Sequence, residues 1–331
     1  MTNPHNRLTV LDAFRGIAAL AVVLYHYTIR YSLLYDFETP SFMQVFKYGY
    51  LGVHLFFIIS GFVIFMTIQK NNTPLLFLYK RFTRLYPTYW ICLIVTLLAV
   101  SIFSLTGRHI SITASLINFS MFQEALNIPH VDGSYWSLTI ELFFYLQIAF
   151  LLALKSIKHL YYWATLFLLL FISNKIIHIP LKSFYLNLHY SPLFLAGIFF
   201  YKLKFLKTKW IDHIFIICCL ISYVFFSKSH AEQIIITLFF ILFYFFVYNK
   251  LEFIGIKPLL FLGEISYALY LLHQNIGYII MNVVRDYTNN YSIVLLTPIF
   301  FSIILAWLVT KYAERPLMKT LRNTSLLKLY K

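Results

Sequence analysis

An arginine and a histidine lie within one long apolar segment near the start of the chain. The segment reads LDAFRGIAALAVVLYHY (residues 11–27) and contains Arg15 and, eleven positions later, His26. On an α-helix this spacing is three turns and a rise of about 16 Å, so both side chains project from one face. Histidine titrates near neutral pH and is the usual general base of enzymes, so this face predicts acid–base chemistry.

A cluster of basic residues follows the second apolar segment. In YKRFTRLYPTYW (residues 79–90) it comprises Lys80, Arg81 and Arg84. Arg81 and Arg84 are three positions apart, so on a helix they face the same way, and paired guanidinium groups bind phosphate oxygens bidentately. The cluster predicts a phosphate-binding site, and the alternative is a basic anchor at a membrane surface.

Two carboxylates stand where negative charge is costly. Glu141 lies inside the apolar run YWSLTIELFFY (residues 135–145), so it must face the interior of a bundle and find a partner there. We predict that it holds the His26 imidazole in one tautomer, as carboxylates do beside other histidine bases. Glu314, in KYAERPLMK (residues 311–319), lies at a helix C-terminus and requires a nearby cation.

Four aromatic or imidazole side chains are candidate substrate contacts. Tyr135 ends the long connection 107–135, and Trp136 begins the span that follows it. We expect this connection to fold over one mouth of the bundle. His54 and His273 lie in apolar segments at about the same depth as the first histidine. For these two histidines we favour structural or substrate-contact roles over catalysis.

The elements that position these residues are membrane-spanning helices. Of the 331 residues, 60% are hydrophobic and only 12% are charged, which is too apolar for an ordinary soluble domain. Apolar windows of about 20 residues recur along the chain. The predicted fold is an all-α polytopic bundle forming a single domain, 1–331, with a basic tail at 313–331. Ten spans are predicted, at about 11–33, 50–69, 86–106, 136–154, 160–177, 188–203, 211–227, 232–249, 259–280 and 293–312.

The positive charges indicate how the bundle is oriented. With the N-terminus in the cytoplasm, 19 Lys and Arg residues fall on the cytoplasmic side and seven on the other, so both termini are predicted to be cytoplasmic. The formal net charge of +15 therefore reports topology and contact with anionic membrane lipids, and predicts no nucleic acid partner. The three cysteines have no metal-binding spacing, and no metal is expected.

Taken together, the motifs resemble one known family. They include the Arg15-x10-His26 pair, the Arg81-x-x-Arg84 pair, GYLGVHLFFIISGF (49–62), WSLTIELFFY (136–145), LGEISYALYLLH (262–273) and the closing ERP (314–316). Their types and order are similar to those of the acyltransferase-3 family of integral-membrane acyltransferases. The resemblance covers nearly the whole chain, from about residue 7 to 318.

The resemblance implies a function and assigns roles to the motif residues. Members of the family move an acyl group, commonly acetyl from acetyl-CoA, to acceptors such as surface polysaccharides, peptidoglycan or lipid-linked sugars. By motif match His26 is the expected catalytic residue, with Arg15 paired to it. Arg81 and Arg84 fill the positions expected to hold the phosphates of the coenzyme, with Lys80 beside them, and Glu314 fills the family's terminal acidic position. The implied location is the bacterial inner membrane.

Several alternatives stay open at this point. His26 can act as a general base or carry the acyl group itself in an acyl-histidine relay. A secondary transporter or a flippase of lipid-linked sugars would also place ionisable groups inside a bundle, although the sequence shows no duplicated halves. A purely structural role would leave Arg15 as a residue that snorkels to the membrane surface and His26 as an ordinary hydrogen-bonded histidine. The sequence does not indicate an oligomeric state.

Overall fold

Long helices account for most of the structure. A computed structural model describes residues 8–70, 73–105, 107–108, 110–177 and 187–322. No strand occurs among these residues, so the all-α prediction is confirmed. In the described chain the long helices are α1 Thr9–Tyr25, α2 Gly52–Lys70, α3 Pro74–Phe103, α4 Trp136–Ala153, α5 Leu160–Ile177, α6 Ser191–Phe205, α7 Trp210–Phe225, α8 His230–Val247, α9 Lys257–Arg285 and α10 Tyr291–Val309.

Each predicted span overlaps one of these helices. Seven of the overlapping segments are long and apolar enough to cross a membrane, which makes the chain a multi-pass membrane protein. The other three are α6 and α7, which have 15 and 16 residues, and α9. Helix α9 is long but carries buried polar residues through its middle, including His273 and Asn275. Such residues are stable there because neighbouring helices shield α9 from lipid.

Helices α1 and α9 pack closely against each other along their length. Glycines permit this approach, because a Cβ added at Gly263 would lie 2.0 Å from the Asp12 carbonyl oxygen. A Cβ at Gly16 would lie 2.6 Å from the Leu259 carbonyl oxygen. Small residues commonly mediate close helix contacts in membranes, where packing rather than apolar burial drives association. Gly61 makes the same kind of contact between α2 and α6.

Helix α3 begins earlier than the sequence indicates. It starts at Pro74, within the first turn, where a proline is well accommodated, and continues through Pro87. The predicted span began at about residue 86, so the helix starts about a dozen residues earlier than predicted and contains Pro87 in its interior. Arg81 and Arg84 therefore lie on one continuous helix, about one turn apart, as their spacing predicted.

The start of helix α1 and the helix that follows α10 lie at the same end of the bundle. A helix at Arg315–Arg322 follows α10 and packs on α3, where the Tyr79 hydroxyl donates to the Leu321 carbonyl at 2.8 Å. We call this the terminal end of the bundle. Part of the predicted basic tail, residues 323–331, lies outside the described residues.

Helix α1 changes its geometry at the histidine. After Tyr25 the chain continues as a π-helical turn, His26–Arg30, before a short α-helix at Tyr31–Tyr35. Such π-helical turns widen an α-helix locally and occur frequently at functional sites.

Candidate active site

A cavity opens inside the bundle between helices α1, α2, α3, α4 and α9. Its volume is about 140 Å³, and its charged lining residues are Arg15, Arg81, Arg84 and Glu141. Hydroxyl groups supply much of the remaining polar lining, from Ser60, Ser137, Ser266, Tyr145, Tyr267 and Tyr270. The structure thus brings together the arginine of α1 and the arginine pair of α3, which lie 66 or more positions apart in the sequence.

Two of the three arginines keep unused hydrogen-bonding capacity. Arg15 makes no hydrogen bond or ion pair with any described residue. Arg81 donates from Nη2 to the Thr67 hydroxyl at 2.8 Å and lies over the Phe77 and Tyr145 rings, but its buried Nε has no partner among the described residues. Guanidinium groups that are withdrawn from water and lack a carboxylate partner favour binding of an anion.

Arg84 is instead paired within the protein. Its Nη1 lies 2.5 Å from Oε1 of Glu314, which is almost fully buried. The sequence-based expectation that Glu314 requires a nearby cation is therefore confirmed. The second oxygen of Glu314 has no partner among the described residues. Arg315 pairs separately with Glu264 on α9, so this end of the bundle is joined by two ion pairs.

Glu141 takes part in the cavity and not in the histidine site. The hydroxyls of Ser60 and Tyr145 both donate to its Oε1, at 2.5 and 2.6 Å. The prediction that Glu141 holds the His26 ring was therefore wrong. In the structure that ring is hydrogen-bonded to a second histidine instead. Helical spacing explains the Tyr145 contact, since it lies four positions after Glu141.

That partner of His26 is His273 on α9. The distance from His26 Nδ1 to His273 Nε2 is 3.2 Å, and the ring centroids are 4.9 Å apart at 73°. His26 is partly exposed and His273 is fully buried. The pair lies farther from the terminal end than the arginines.

Tyr270 stands between this histidine pair and the cavity. Its ring lines the cavity and lies 5.8 Å from the His273 ring, whereas neither histidine lines the cavity. The Tyr270 hydroxyl donates to the Ser134 carbonyl at 2.8 Å and is bonded to the Ser137 hydroxyl at 2.7 Å. The cavity therefore does not extend to the histidine pair in this structure, and Tyr270 lies between the two.

The remaining candidate residues occupy different surroundings. His54 is buried among aromatic rings, 5.5 Å from the Tyr190 ring, and its Nδ1 has no partner among the described residues. Trp136 packs on the same tyrosine at 5.7 Å. Tyr135 is fully buried, and its hydroxyl lies 3.2 Å from the Leu271 carbonyl, to which it donates. Lys80 does not line the cavity.

Sequence reasoning overlooked a buried carboxylate beside the histidine pair. Asp132 is fully buried, and its Oδ2 accepts the backbone N–H of Asn275 at 2.9 Å. Its Oδ1 accepts the backbone N–H and the hydroxyl of Ser134, at 2.9 and 2.7 Å. The Asp-Gly pair that precedes α4 is a recognisable turn and capping signal, so Asp132 was visible locally, but its contact with α9 was not.

Fold and site together define a multi-pass helical membrane protein with an arginine-lined internal cavity and a neighbouring pair of histidines. The sequence profile described as an acyltransferase domain, that of the acyltransferase-3 family, matches residues 8–311. The chain belongs to this family and is a membrane acyltransferase.

Three relatives show how far the similarity extends. The putative acetyltransferase ORF330 of Acidianus two-tailed virus is 25% identical over 275 residues, which are 78% of this chain and 80% of that protein. The acyltransferase MdmB of Streptomyces mycarofaciens is 27% identical over 148 residues, 42% of this chain and 38% of that protein. The peptidoglycan O-acetyltransferase OatA of Listeria monocytogenes is 28% identical over 169 residues, 45% of this chain and 25% of that protein. No solved structure matches the chain.

Proposed function

We propose that this protein transfers an acyl group from acyl-CoA to a hydroxyl of a surface polysaccharide or lipid-linked sugar, with acetyl as the main candidate for the group transferred. The observation that carries the proposal is the cavity in which Arg15, Arg81 and Arg84 converge within the bundle. The terminal end then faces the cytoplasm, where acyl-CoA is present, and the membrane is the bacterial inner membrane. Two relatives named as acetyltransferases, one of them acting on peptidoglycan, support acetyl as the group and a glycan as the acceptor.

The arginines suit the anionic part of the donor. Coenzyme A carries phosphates that cannot enter hydrocarbon, and guanidinium groups bind phosphate through several parallel hydrogen bonds. The cavity of about 140 Å³ is close in size to an engineered cavity that holds one benzene molecule. It is therefore too small for a nucleotide, which stays near the terminal end, while the narrow pantetheine arm extends inward among the hydroxyl groups.

His26 is the proposed general base. As the acceptor hydroxyl attacks the thioester carbon, its proton moves to Nε2 of His26 and its oxygen forms the new ester bond. The carbon–sulfur bond then breaks, and the departing thiolate takes the proton back from His26. No other reactant is needed. The cavity does not reach His26 in this structure and Tyr270 lies between them, so the proposed reaction requires the Tyr270 side chain to move.

The acceptor is proposed to enter from the opposite side of the membrane, next to Trp136 and His54. These two side chains share the Tyr190 ring as a neighbour, and the unpartnered Nδ1 of His54 is available to a sugar hydroxyl. Aromatic faces combined with polar groups at their edges suit carbohydrate binding. The Tyr135 hydroxyl, in contrast, already donates to a backbone carbonyl.

Mass spectrometry of surface glycans tests the reaction. The glycans of cells that express the wild-type protein should carry an added acyl mass, and those of cells that express His26→Gln at equal abundance should lack it. His213→Gln is the control, since His213 packs on Tyr244 away from the cavity and both histidines. Normal acylation by the His26 variant would remove His26 from the mechanism. An absence of any acyl mass with the wild-type protein would refute the acceptor class.

Binding of acetyl-CoA to the purified protein tests the donor site separately. We expect Arg15→Gln and Arg81→Gln to raise the Kd for acetyl-CoA roughly 10- to 100-fold, because each removes charge-assisted hydrogen bonds worth about 1.5–3 kcal/mol. Arg285→Gln is the matched control, since Arg285 contacts Tyr31 and Tyr35 and does not line the cavity. An unchanged Kd in both test variants would favour the membrane-anchor interpretation of these arginines.

A further inference from the structure

We infer that His273 is a positioning residue for the proposed reaction: its Nε2 accepts the Nδ1–H of His26 and shares the positive charge that His26 gains. The inference rests on the proposed role of His26 as base. It also replaces the sequence-based interpretation of His273 as a structural or substrate-contact residue.

The hydrogen bonds determine where the protons lie. His273 Nδ1 is 2.8 Å from the Tyr270 carbonyl oxygen, and a carbonyl only accepts, so Nδ1 carries the proton. In a neutral imidazole the other nitrogen, Nε2, is then an acceptor. It faces His26 Nδ1, which also lies 2.9 Å from the Val22 carbonyl oxygen and therefore carries a proton. Consequently the free lone pair of His26 is on Nε2, as a general base requires.

The Val22 carbonyl alone is a poor partner for His26. As the residue four positions earlier in α1, it also accepts the backbone N–H of His26. His273 Nε2 has no such competing donor among the described residues. When His26 becomes positively charged, the bond from its Nδ1 to His273 strengthens, because hydrogen bonds from charged donors are about twice as strong as neutral ones.

Several contacts hold His273 in place. The Tyr27 hydroxyl donates to the His273 carbonyl oxygen at 2.7 Å and is bonded to the Ser302 hydroxyl at the same distance. Gly277 leaves room for the Tyr27 ring, since a Cβ there would lie 2.2 Å from the Tyr27 hydroxyl oxygen. Tyr27, the residue after His26, thus joins the π-helical turn to α9 next to the histidine pair.

A buried negative charge completes the arrangement. Asp132 accepts the backbone N–H of Asn275, two residues after His273, so a buried carboxylate lies near the histidine pair. It forms no ion pair with a described residue. His273 therefore occupies the place of the group that orients a catalytic base, whereas Asp132 acts on it only through space, because its hydrogen bonds are to Ser134 and the Asn275 backbone.

Two amide substitutions at His273 test the inference. In His273→Gln the amide oxygen reaches the position of Nε2 and accepts the Nδ1–H of His26. In His273→Asn the side chain is one methylene shorter, so it reaches the position of Nδ1 and not His26. We expect kcat for acyl transfer to fall about 10- to 100-fold in the asparagine variant. The glutamine variant should recover most of that loss, and KM for acetyl-CoA and for the acceptor should change little in both.

Three results would overturn the inference. They are wild-type kcat in the asparagine variant, equal losses of kcat in both variants at equal thermal stability, and a raised KM for the acceptor with kcat unchanged. The last would show that His273 contacts substrate.

Nitrogen-15 NMR of labelled histidines gives a readout that needs no activity. In the resting wild-type protein both His26 and His273 should be protonated at Nδ1 and unprotonated at Nε2. His26 should keep this state in His273→Gln, whereas in His273→Asn its Nδ1 proton should exchange faster with solvent. A proton on His273 Nε2 in the wild-type protein refutes the inference. The expected NMR pattern in a protein that transfers no acyl group would refute the proposed function and leave the histidine pair intact.

Discussion

Removing the guanidinium of Arg84 should destabilise the bundle because it leaves Glu314 as an unpaired buried charge. The side chain of Glu314 is 4% exposed and that of Arg84 is 25% exposed, and their charged atoms are 2.5 Å apart. Breaking a buried pair from one side costs about 3–5 kcal/mol. Since Arg84 is partly exposed, we expect Arg84→Met to lower the free energy of unfolding by about 3 kcal/mol, at the lower end of that range.

The double variant gives the sharper test. Adding Glu314→Gln to Arg84→Met removes the stranded charge, so the double variant should be more stable than Arg84→Met alone by about 1–2 kcal/mol. Unfolding by sodium dodecyl sulfate in mixed micelles, followed by the fluorescence of the five tryptophans, measures this without acyl-CoA present. If the stability losses of the single variants Arg84→Met and Glu314→Gln simply add in the double variant, the pair contributes no coupling energy. That result would refute the reasoning from burial.

Two further predictions concern the contact between α1 and α9. Gly263→Ala should lower the free energy of unfolding by about 1–3 kcal/mol through overpacking and also reduce kcat. Gly61→Ala, with an equally close contact on α2 and α6, should lose similar stability but keep kcat per folded molecule, and equal kcat in both would contradict the argument. Tyr27→Phe should cost about 1–3 kcal/mol of unfolding free energy, because the His273 carbonyl and the Ser302 hydroxyl lose a shared partner; unchanged stability would contradict it.

Local patterns determined the helical architecture and part of the site. Apolar windows located every long helix, since a backbone in lipid must satisfy its hydrogen bonds within each segment. The spacing of Arg15 and His26 predicted that both lie on one face of a helix, because helical periodicity depends on sequence alone. In the structure Arg15 lies within α1 and lines the cavity, whereas His26 begins the π-helical turn after α1 and does not line it. Glu314 was predicted to end a helix and to need a cationic partner. The helix in fact continues through Glu314 as a π-helical turn, Thr310–Glu314, into Arg315–Arg322, but the predicted partner is present and is Arg84.

Only the tertiary structure decided which helices bring their polar residues together. His26 and His273 are 247 positions apart, and no local pattern relates them. The sequence predicted a similar depth for Glu141 and His26, but depth does not specify the face of a helix that meets a given neighbour, so the bonds of Glu141 to Ser60 and Tyr145 were not predictable. Rotation and neighbour choice depend on side-chain packing across the whole bundle, whereas helix formation depends on the segment itself.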